Sequence, residues 1–253
     1  MSLAVIAAIT PPQLNLDAGP ALLLLIIRWV HFIAGITWVG LLYYFNLVST
    51  PVLKTAQPAD KGFVITQLMP KALFWFRWAS VVTVFMGMWY WSEIVRSDAT
   101  NAGVKPGAAM GSFFGIWTLA FILEMGILMS PADVLKKGPV LTVLMTVILL
   151  VASYFYIALN QHGWESNRML AIGVGGGYGW FMMLNVWGLL WRMQKKIIRW
   201  TTINMANGTP LPPEVQKAGR LSFLVSRINF VLSFPLLLLM AIASHYPLFS
   251  NVG

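Results

Sequence analysis

Residues 21–46 read ALLLLIIRWVHFIAGITWVGLLYYFN, and this stretch decides the class of fold. Arg28 is its only Lys, Arg, Asp or Glu. A helix needs about 20 mainly apolar residues to cross the hydrocarbon core of a bilayer. Residues 21–46 therefore predict a transmembrane helix, and the rest of the chain can be compared with it.

Five more stretches of the chain satisfy the same criterion, namely 72–95, 108–129, 139–160, 169–191 and 221–245. Hydrophobic residues make up 58% of the 253 residues and charged residues 10%, against about a quarter charged in soluble domains. The runs are too long for the strands of a membrane barrel. The sequence predicts one all-α domain over residues 1–253, a polytopic bundle of about six helices in a lipid bilayer, and excludes a cytosolic enzyme.

The formal charge of +9 would suggest nucleic acid as partner of a soluble protein. In a membrane protein, however, Lys and Arg gather in cytoplasmic loops, so we expect no nucleic-acid partner. The connections 47–71, 130–138 and 192–220 hold 11 basic residues, and the opposite side holds only 3, at Arg96, Lys105 and Arg168. This asymmetry predicts that both termini face outward, across a bacterial inner (cytoplasmic) membrane.

The three histidines are the most informative polar residues. With the predicted orientation, His31, His162 and His245 all lie in the outer half of the membrane or at its outer surface. Imidazole is the usual axial ligand of haem, and Arg28 lies one turn from His31 on the same helical face, where it could pair with a propionate. The alternatives are a buried His31 bonded to a backbone carbonyl, an interfacial His245 and a loop role for His162.

Other features have two interpretations each. The glycines of the fifth span, Gly173 to Gly179, form small-xxx-small pairs, which predict close helix packing or a smooth wall against a planar ligand. Arg77, Glu124 and Arg227 fall in the inner halves of three spans, and charges inside a membrane must pair. We therefore expect Glu124 to contact one or both arginines, either as a structural salt bridge or in a proton or substrate path. The chain has no cysteine, which excludes thiolate metal sites and covalent c-type haem.

Several segments resemble the membrane domain of the bacterial membrane-bound urate oxidase (urate hydroxylase) family. In the first helix the similar segment is RWVHFIAGITWVG from Arg28, followed by YYFN from Tyr43. In the fifth span it is 167–180. Towards the end of the chain the similar segments are LPPE at 211–214, SRIN at 226–229 and SHYP at 244–247. The first-helix pattern is shared more loosely with the membrane protoporphyrinogen oxidase family, which is linked to b-type haem, and with the copper-resistance D family.

The resemblance implies a haem b held by the histidines of the first and last helices, His31 and His245, which would be the metal ligands. Arg28, Trp38, Gly40, Arg227 and Asn229 match the surrounding motifs, and Arg28 and Trp38 are expected at the cofactor. Members of the family continue into a C-terminal cytochrome c domain. Because this chain has no C-x-x-C-H motif, we expect a separate periplasmic cytochrome c as electron acceptor.

Three functional hypotheses follow. The first is a membrane oxidoreductase that takes electrons from a reduced small molecule such as urate, and whose catalytic residues the sequence does not identify. The second is a non-catalytic membrane subunit of a larger respiratory or photosynthetic complex. The third, a transporter, is disfavoured because the sequence shows neither an internal repeat nor paired broken helices.

Overall fold

The structure is a computed structural model that describes residues 19–249. Within these residues six helices are long and apolar enough to cross a membrane, which confirms the predicted all-α membrane bundle. They are α1 (Ala21–Thr55), α2 (Pro58–Ala102), α3 (Gly107–Met129), α4 (Gly138–Ala158), α5 (Asn167–Asn207) and α6 (Pro213–Ile242). The predicted domain 1–253 extends beyond the described residues at both ends.

Three helices are much longer than the predicted spans. Residues 47–71 and 192–220, expected to be connections, are largely helical continuations of α1, α2, α5 and α6. Hydropathy detects only the part of a helix that lies in hydrocarbon, whereas Lys, Arg and Gln are good helix formers in water as well. The basic residues of these segments therefore extend the helices instead of ending them.

The ends of the helices follow ordinary capping chemistry. Gly103 and Gly208 end α2 and α5 with φ of 69° and 72°, the left-handed conformation that glycine adopts without steric cost. Pro58 and Pro213 begin α2 and α6, where the missing N–H of proline costs nothing. At the other end of α6, Ile242 is the last helical residue, so the predicted sixth span ends three residues earlier than expected.

Three segments of the helices are π-helical. They are Tyr44–Ser49 in α1, Val64–Leu68 in α2 and Asn185–Leu190 in α5. Single π-helical turns inside α-helices are rare and are frequently found at functional sites. The segments in α1 and α2 lie towards the connection 56–57, and the segment in α5 lies at the middle of its helix.

The bundle is arranged around α5. In an apolar stretch of 18 residues of α5, 78% is buried inside the bundle. The corresponding stretches of the other five helices are only 17–33% buried. Helix α5 packs against α2, α3, α4 and α6, while α1 packs mainly along α2. Helix α1 therefore stands partly apart from α5 and α6.

The two ends of the bundle differ in chemistry. We call the end with the connections 103–106 and 159–166 the histidine end, since His31, His162 and His245 lie towards it. We call the opposite end, with the connections 56–57, 130–137 and 208–212, the basic end. The orientation of these ends in a membrane stays a prediction from the distribution of charge.

Candidate functional site

His31 is anchored in the interior between α1 and α2. Its Nδ1 lies 2.7 Å from the backbone oxygen of Thr83. This is the contact expected of a structural histidine, and it leaves a ligand role to Nε2. A carbonyl oxygen only accepts, so Nδ1 bears the proton and donates, and Nε2 of the neutral ring keeps its lone pair. Nε2 has no hydrogen-bond partner among the described residues.

The neighbour of the His31 ring on α2 is Gly87. A Cβ placed on Gly87 would lie 2.7 Å from Cε1 and 2.9 Å from Nδ1 of His31. Real carbon atoms do not approach so closely, so only glycine leaves room for the ring in this position. Thr83 and Gly87 thus fix the imidazole from one side and leave Nε2 open on the other.

Two cavities meet at His31. The first, which we call the arginine cavity, has a volume of about 140 Å³ and is lined by Arg28 and Arg168 as well as by His31. The Arg28 guanidinium lies 5.6 Å from the ring centre of Phe32 and 5.9 Å from that of Tyr90. Two cations at the exposed rim of an otherwise mostly apolar cavity are suited to an anionic group.

The second cavity, which we call the apolar slot, lies between α1, α5 and α6 and has a volume of about 400 Å³. This volume is within the usual range for small-molecule and cofactor sites. Its lining is aliphatic and aromatic except at His31 and Thr83. Trp38 is 2% exposed and lines the slot, and its Nε1 has no partner among the described residues.

The glycines of α5 contribute both to close helix packing and to the wall of the apolar slot. At Gly173 and Gly177 a Cβ would collide with the side chains of Tyr156 and Trp117, so these two residues allow close helix packing. Gly175, Gly176 and Gly179 line the apolar slot. One face of α5 therefore packs tightly, and the other presents a smooth wall to the slot.

A hydrogen-bonded junction at the histidine end holds the start of α5. Ser166 caps the helix by accepting from the Met169 N–H at 3.1 Å and donates to Asp98 at 2.6 Å. The side chain of Asn167 donates to the backbone oxygens of Ala243 and Tyr246 at 3.0 and 2.8 Å. These bonds tie α2, α5 and the end of α6 together next to Arg168.

The other two histidines lie close to this junction. His245 is in the turn after α6 and its side chain is exposed. It does not line either cavity, although its neighbours Ala243 and Ser244 line the arginine cavity. His162 lies in the connection before α5 with Nδ1 2.9 Å from Glu165, as expected for a loop residue.

The predicted contact between Glu124 and the arginines is wrong. Glu124 is fully buried and accepts from Asn185 at 3.3 Å, and no described Lys or Arg lies within 4.0 Å of its carboxylate. The Arg77 guanidinium lies 3.9 Å from the ring centre of Trp191, and Arg227 donates to the Asn46 oxygen at 3.5 Å. Cation–π contacts and a backbone oxygen take the place of the carboxylate.

Sequence reasoning missed three residues of the site. Thr83 acts through a backbone oxygen and Gly87 through the lack of a side chain, so neither has a signal of its own in the sequence. The sequence marks Arg168 only as one of the few basic residues on its side and as part of the family-like segment 167–180. Its place beside Arg28 depends on the packing of α5 against α1 and α2.

The metal-binding capacity of the site is limited. The described residues contain no group of three or more His, Cys, Asp or Glu side chains that could hold a metal ion. The iron of a haem needs only one or two protein ligands, because the porphyrin supplies the other four. Among the residues that line the two cavities, His31 is the histidine, and its Nε2 has no other partner among the described residues.

Comparison with known proteins finds one family. Residues 59–252 match the family described as "Urate oxidase N-terminal". Neither the curated proteins nor the solved structures contain a match. The matched region includes the glycines of α5, Arg168 and His245, whereas Arg28, His31 and Trp38 lie before it. Because the match covers well over half of the chain, this protein belongs to the urate oxidase N-terminal family.

Proposed function

We propose that this chain is an integral membrane oxidoreductase that binds a b-type haem at the histidine end and passes electrons to a separate periplasmic cytochrome c. The observation that supports this most directly is the state of His31. Its Nδ1 is bound to a backbone oxygen, and its Nε2 is open where an apolar slot and an arginine-lined cavity meet. Haem-ligating and metal-ligating histidines typically have this arrangement.

The residues present fit the chemical nature of the group. His31 would ligate the iron through Nε2, and the hydrogen bond to Thr83 would keep the ring orientation and tautomer constant. The glycines of α5 and Trp38 would contact the flat apolar face. Arg28 and Arg168 would pair with the propionates, since guanidinium groups bind carboxylates well. The haem, when bound, supplies a centre that accepts and releases one electron at a time.

His245 is proposed as a second ligand or a residue near the rim. Its side chain is exposed, but its turn adjoins the arginine cavity through Ala243 and Ser244. Asn167 holds the backbone of this turn. Ligation by His245 would thus need the turn to bring its side chain inward, whereas His31 needs no such change.

The proposed electron donor is a small planar anion, with urate as the first candidate because of the family. If the histidine end faces outward, donor and cytochrome c would both approach from the periplasm.

The first experiment is a reduced-minus-oxidised absorption spectrum of the purified full chain, with a pyridine haemochrome assay. We expect close to one b-type haem per chain, reducible by urate. His31→Ala should lose the haem, while the control His162→Ala, at an exposed loop histidine, should keep it. A lower haem content or a shifted spectrum in His245→Ala would assign it the second ligand.

Two results would contradict the proposal. Full haem content in His31→Ala would exclude His31 as a ligand. The absence of haem from the purified chain would instead favour a non-catalytic subunit of a larger membrane complex, and co-purification would then identify that complex. Haem that urate does not reduce would remove only the proposed donor.

A further inference from the structure

We propose that the basic end of the bundle contains a second site, which binds the anionic head of a membrane amphiphile, a phospholipid phosphate or a fatty-acid carboxylate. The site is a cavity of about 200 Å³ lined by residues of α1, α2, α5 and α6. We call it the basic-end cavity. It shares no lining residue with the arginine cavity or the apolar slot.

The three π-helical segments converge on this cavity. Phe45 and Ser49 from the segment in α1, Ile65 from that in α2 and Leu190 from that in α5 all line it. Such segments are rare and are enriched at functional sites. Three of them around one cavity are difficult to explain as independent irregularities of three helices.

Two hydroxyl groups of the lining, those of Ser222 and Ser226, have protons to donate. The Ser222 Oγ accepts from the Gln194 side chain at 2.7 Å, and the Ser226 Oγ accepts from the Asn46 side chain at 2.9 Å. Neither hydroxyl donates to any described residue. Serines in helices usually donate to a carbonyl of the preceding turn, as Ser153 and Ser233 do here. Ser222 and Ser226 therefore keep their protons available for an acceptor in the cavity.

Two cations flank the cavity and lack an acidic partner. The guanidinium of Arg227 lies 5.3 Å, and the ammonium of Lys54 5.9 Å, from the ring centre of Phe223, which lines the cavity. No carboxylate of the described residues lies within 4.0 Å of either side chain. The partners of Arg227, two aromatic rings and the Asn46 backbone oxygen, carry no net negative charge, and a bound anion can supply that charge.

These features together specify the ligand class. Most of the wall is hydrocarbon, which suits an acyl chain, while the hydroxyl donors of the lining and the two cations beside Phe223 suit an oxyanion. Basic pockets between transmembrane helices are known binding places for anionic lipid heads. A neutral quinone would satisfy the hydroxyl donors but would leave Arg227 without a counter-charge.

The test is a thermal-unfolding titration of the full chain after delipidation in a neutral detergent. The probes are phosphatidylglycerol, palmitate, phosphatidylcholine and decylubiquinone. A ligand that binds the folded state raises Tm with its concentration. We expect phosphatidylglycerol or palmitate to raise Tm and phosphatidylcholine and decylubiquinone to have little effect; the more potent anion identifies the source of the head group.

Variants connect the response to the cavity. Arg227→Gln and Lys54→Gln should each raise the concentration for the half-maximal shift by about tenfold, as expected for loss of one charge-assisted contact. Lys217→Gln, on the same helix as Arg227 and exposed, is the control for the loss of one positive charge and should respond as the parent does. Lys54 is also exposed, so Lys54→Gln gives a result even if Arg227→Gln unfolds.

Three outcomes would overturn the proposal. They are an equal response to phosphatidylcholine and phosphatidylglycerol, a response to decylubiquinone alone, and an equal response of the Lys54→Gln and Lys217→Gln variants. The readout is independent of haem and of any redox activity, so it stands apart from the proposed function.

Discussion

At the scale of single residues, Gly87 decides whether His31 can keep its position. The ring of His31 occupies the space that a side chain on Gly87 would need, and its Nδ1 is bound to Thr83 one turn earlier on α2. The histidine and the glycine therefore form one structural unit across α1 and α2. The other side of the ring, with Nε2, is left to a ligand.

Gly87→Ala should therefore displace the imidazole of His31. We expect the haem content to fall and the residual spectrum to shift, with a loss of stability of about 1–3 kcal/mol from overpacking. Haem stoichiometry and thermal unfolding of the purified variant measure the two effects.

Gly111→Ala is the matched control for this substitution. Gly111 is also inside a helix, and a Cβ there would meet nothing within 4 Å. This variant should keep its haem and lose no stability, because alanine favours a helix over glycine. If both variants kept the parent spectrum, Gly87 would not hold the ring in place.

The wrong prediction for Glu124 shows that the sequence does not reveal the direction of a side chain inside the bundle. Position along an apolar run gives the depth of a residue in the membrane, and Glu124 and Arg227 were predicted to lie at similar depth. Depth says nothing about the direction in which the side chain leaves its helix. Glu124 points to Asn185, which in turn donates to Asn229, whereas Arg227 points to α1.

At the scale of helices, the packing of α5 depends on residues without side chains. Trp117 of α3 and Tyr156 of α4 are fully buried, and they occupy the space beside Gly177 and Gly173. The close approach of α3 and α4 to the central helix is possible only because these positions are glycine. Small residues allow the same close contacts in other membrane bundles.

Gly177→Ala should destabilise the bundle by about 1–3 kcal/mol, since the new methyl group would collide with the indole of Trp117. Gly126→Ala in α3 is its control, because a Cβ there would meet nothing within 4 Å. Thermal unfolding followed by tryptophan fluorescence measures both. A Tm of Gly177→Ala equal to that of Gly126→Ala would show that α3 can move away at no cost.

The helices themselves were mostly predictable, because an apolar run of 20 residues in a bilayer has few alternatives to a helix. Their lengths were less predictable: α2 begins at Pro58 and not near residue 72, since its polar first turns do not need hydrocarbon. The π-helical segments had no signal in the sequence. Of the site, His31 was found because a histidine in an apolar run is unusual, while Thr83 and Gly87 depend on contacts between helices.

At the scale of the whole molecule, the two ends of the bundle have different chemistry. The histidine end contains the proposed haem site, and the basic end contains the cavity flanked by Lys54 and Arg227. The predicted connections hold eleven basic residues on the basic side and three on the other. The positive-inside rule predicts that the basic end faces the cytoplasm, which would make the proposed haem site accessible to a periplasmic electron carrier.

The orientation can be tested with single cysteines, because the chain has none of its own and the parent protein serves as the blank. Val104 and Leu211 are a matched pair: they lie in connections at opposite ends and are 43% and 41% exposed. In intact spheroplasts, a membrane-impermeant maleimide should label Val104→Cys at once. It should label Leu211→Cys only after the membrane is broken, since the basic end is predicted to face the cytoplasm. The reverse pattern would place the histidine end inside the cell, and the electron acceptor would then have to be cytoplasmic and not a periplasmic cytochrome c.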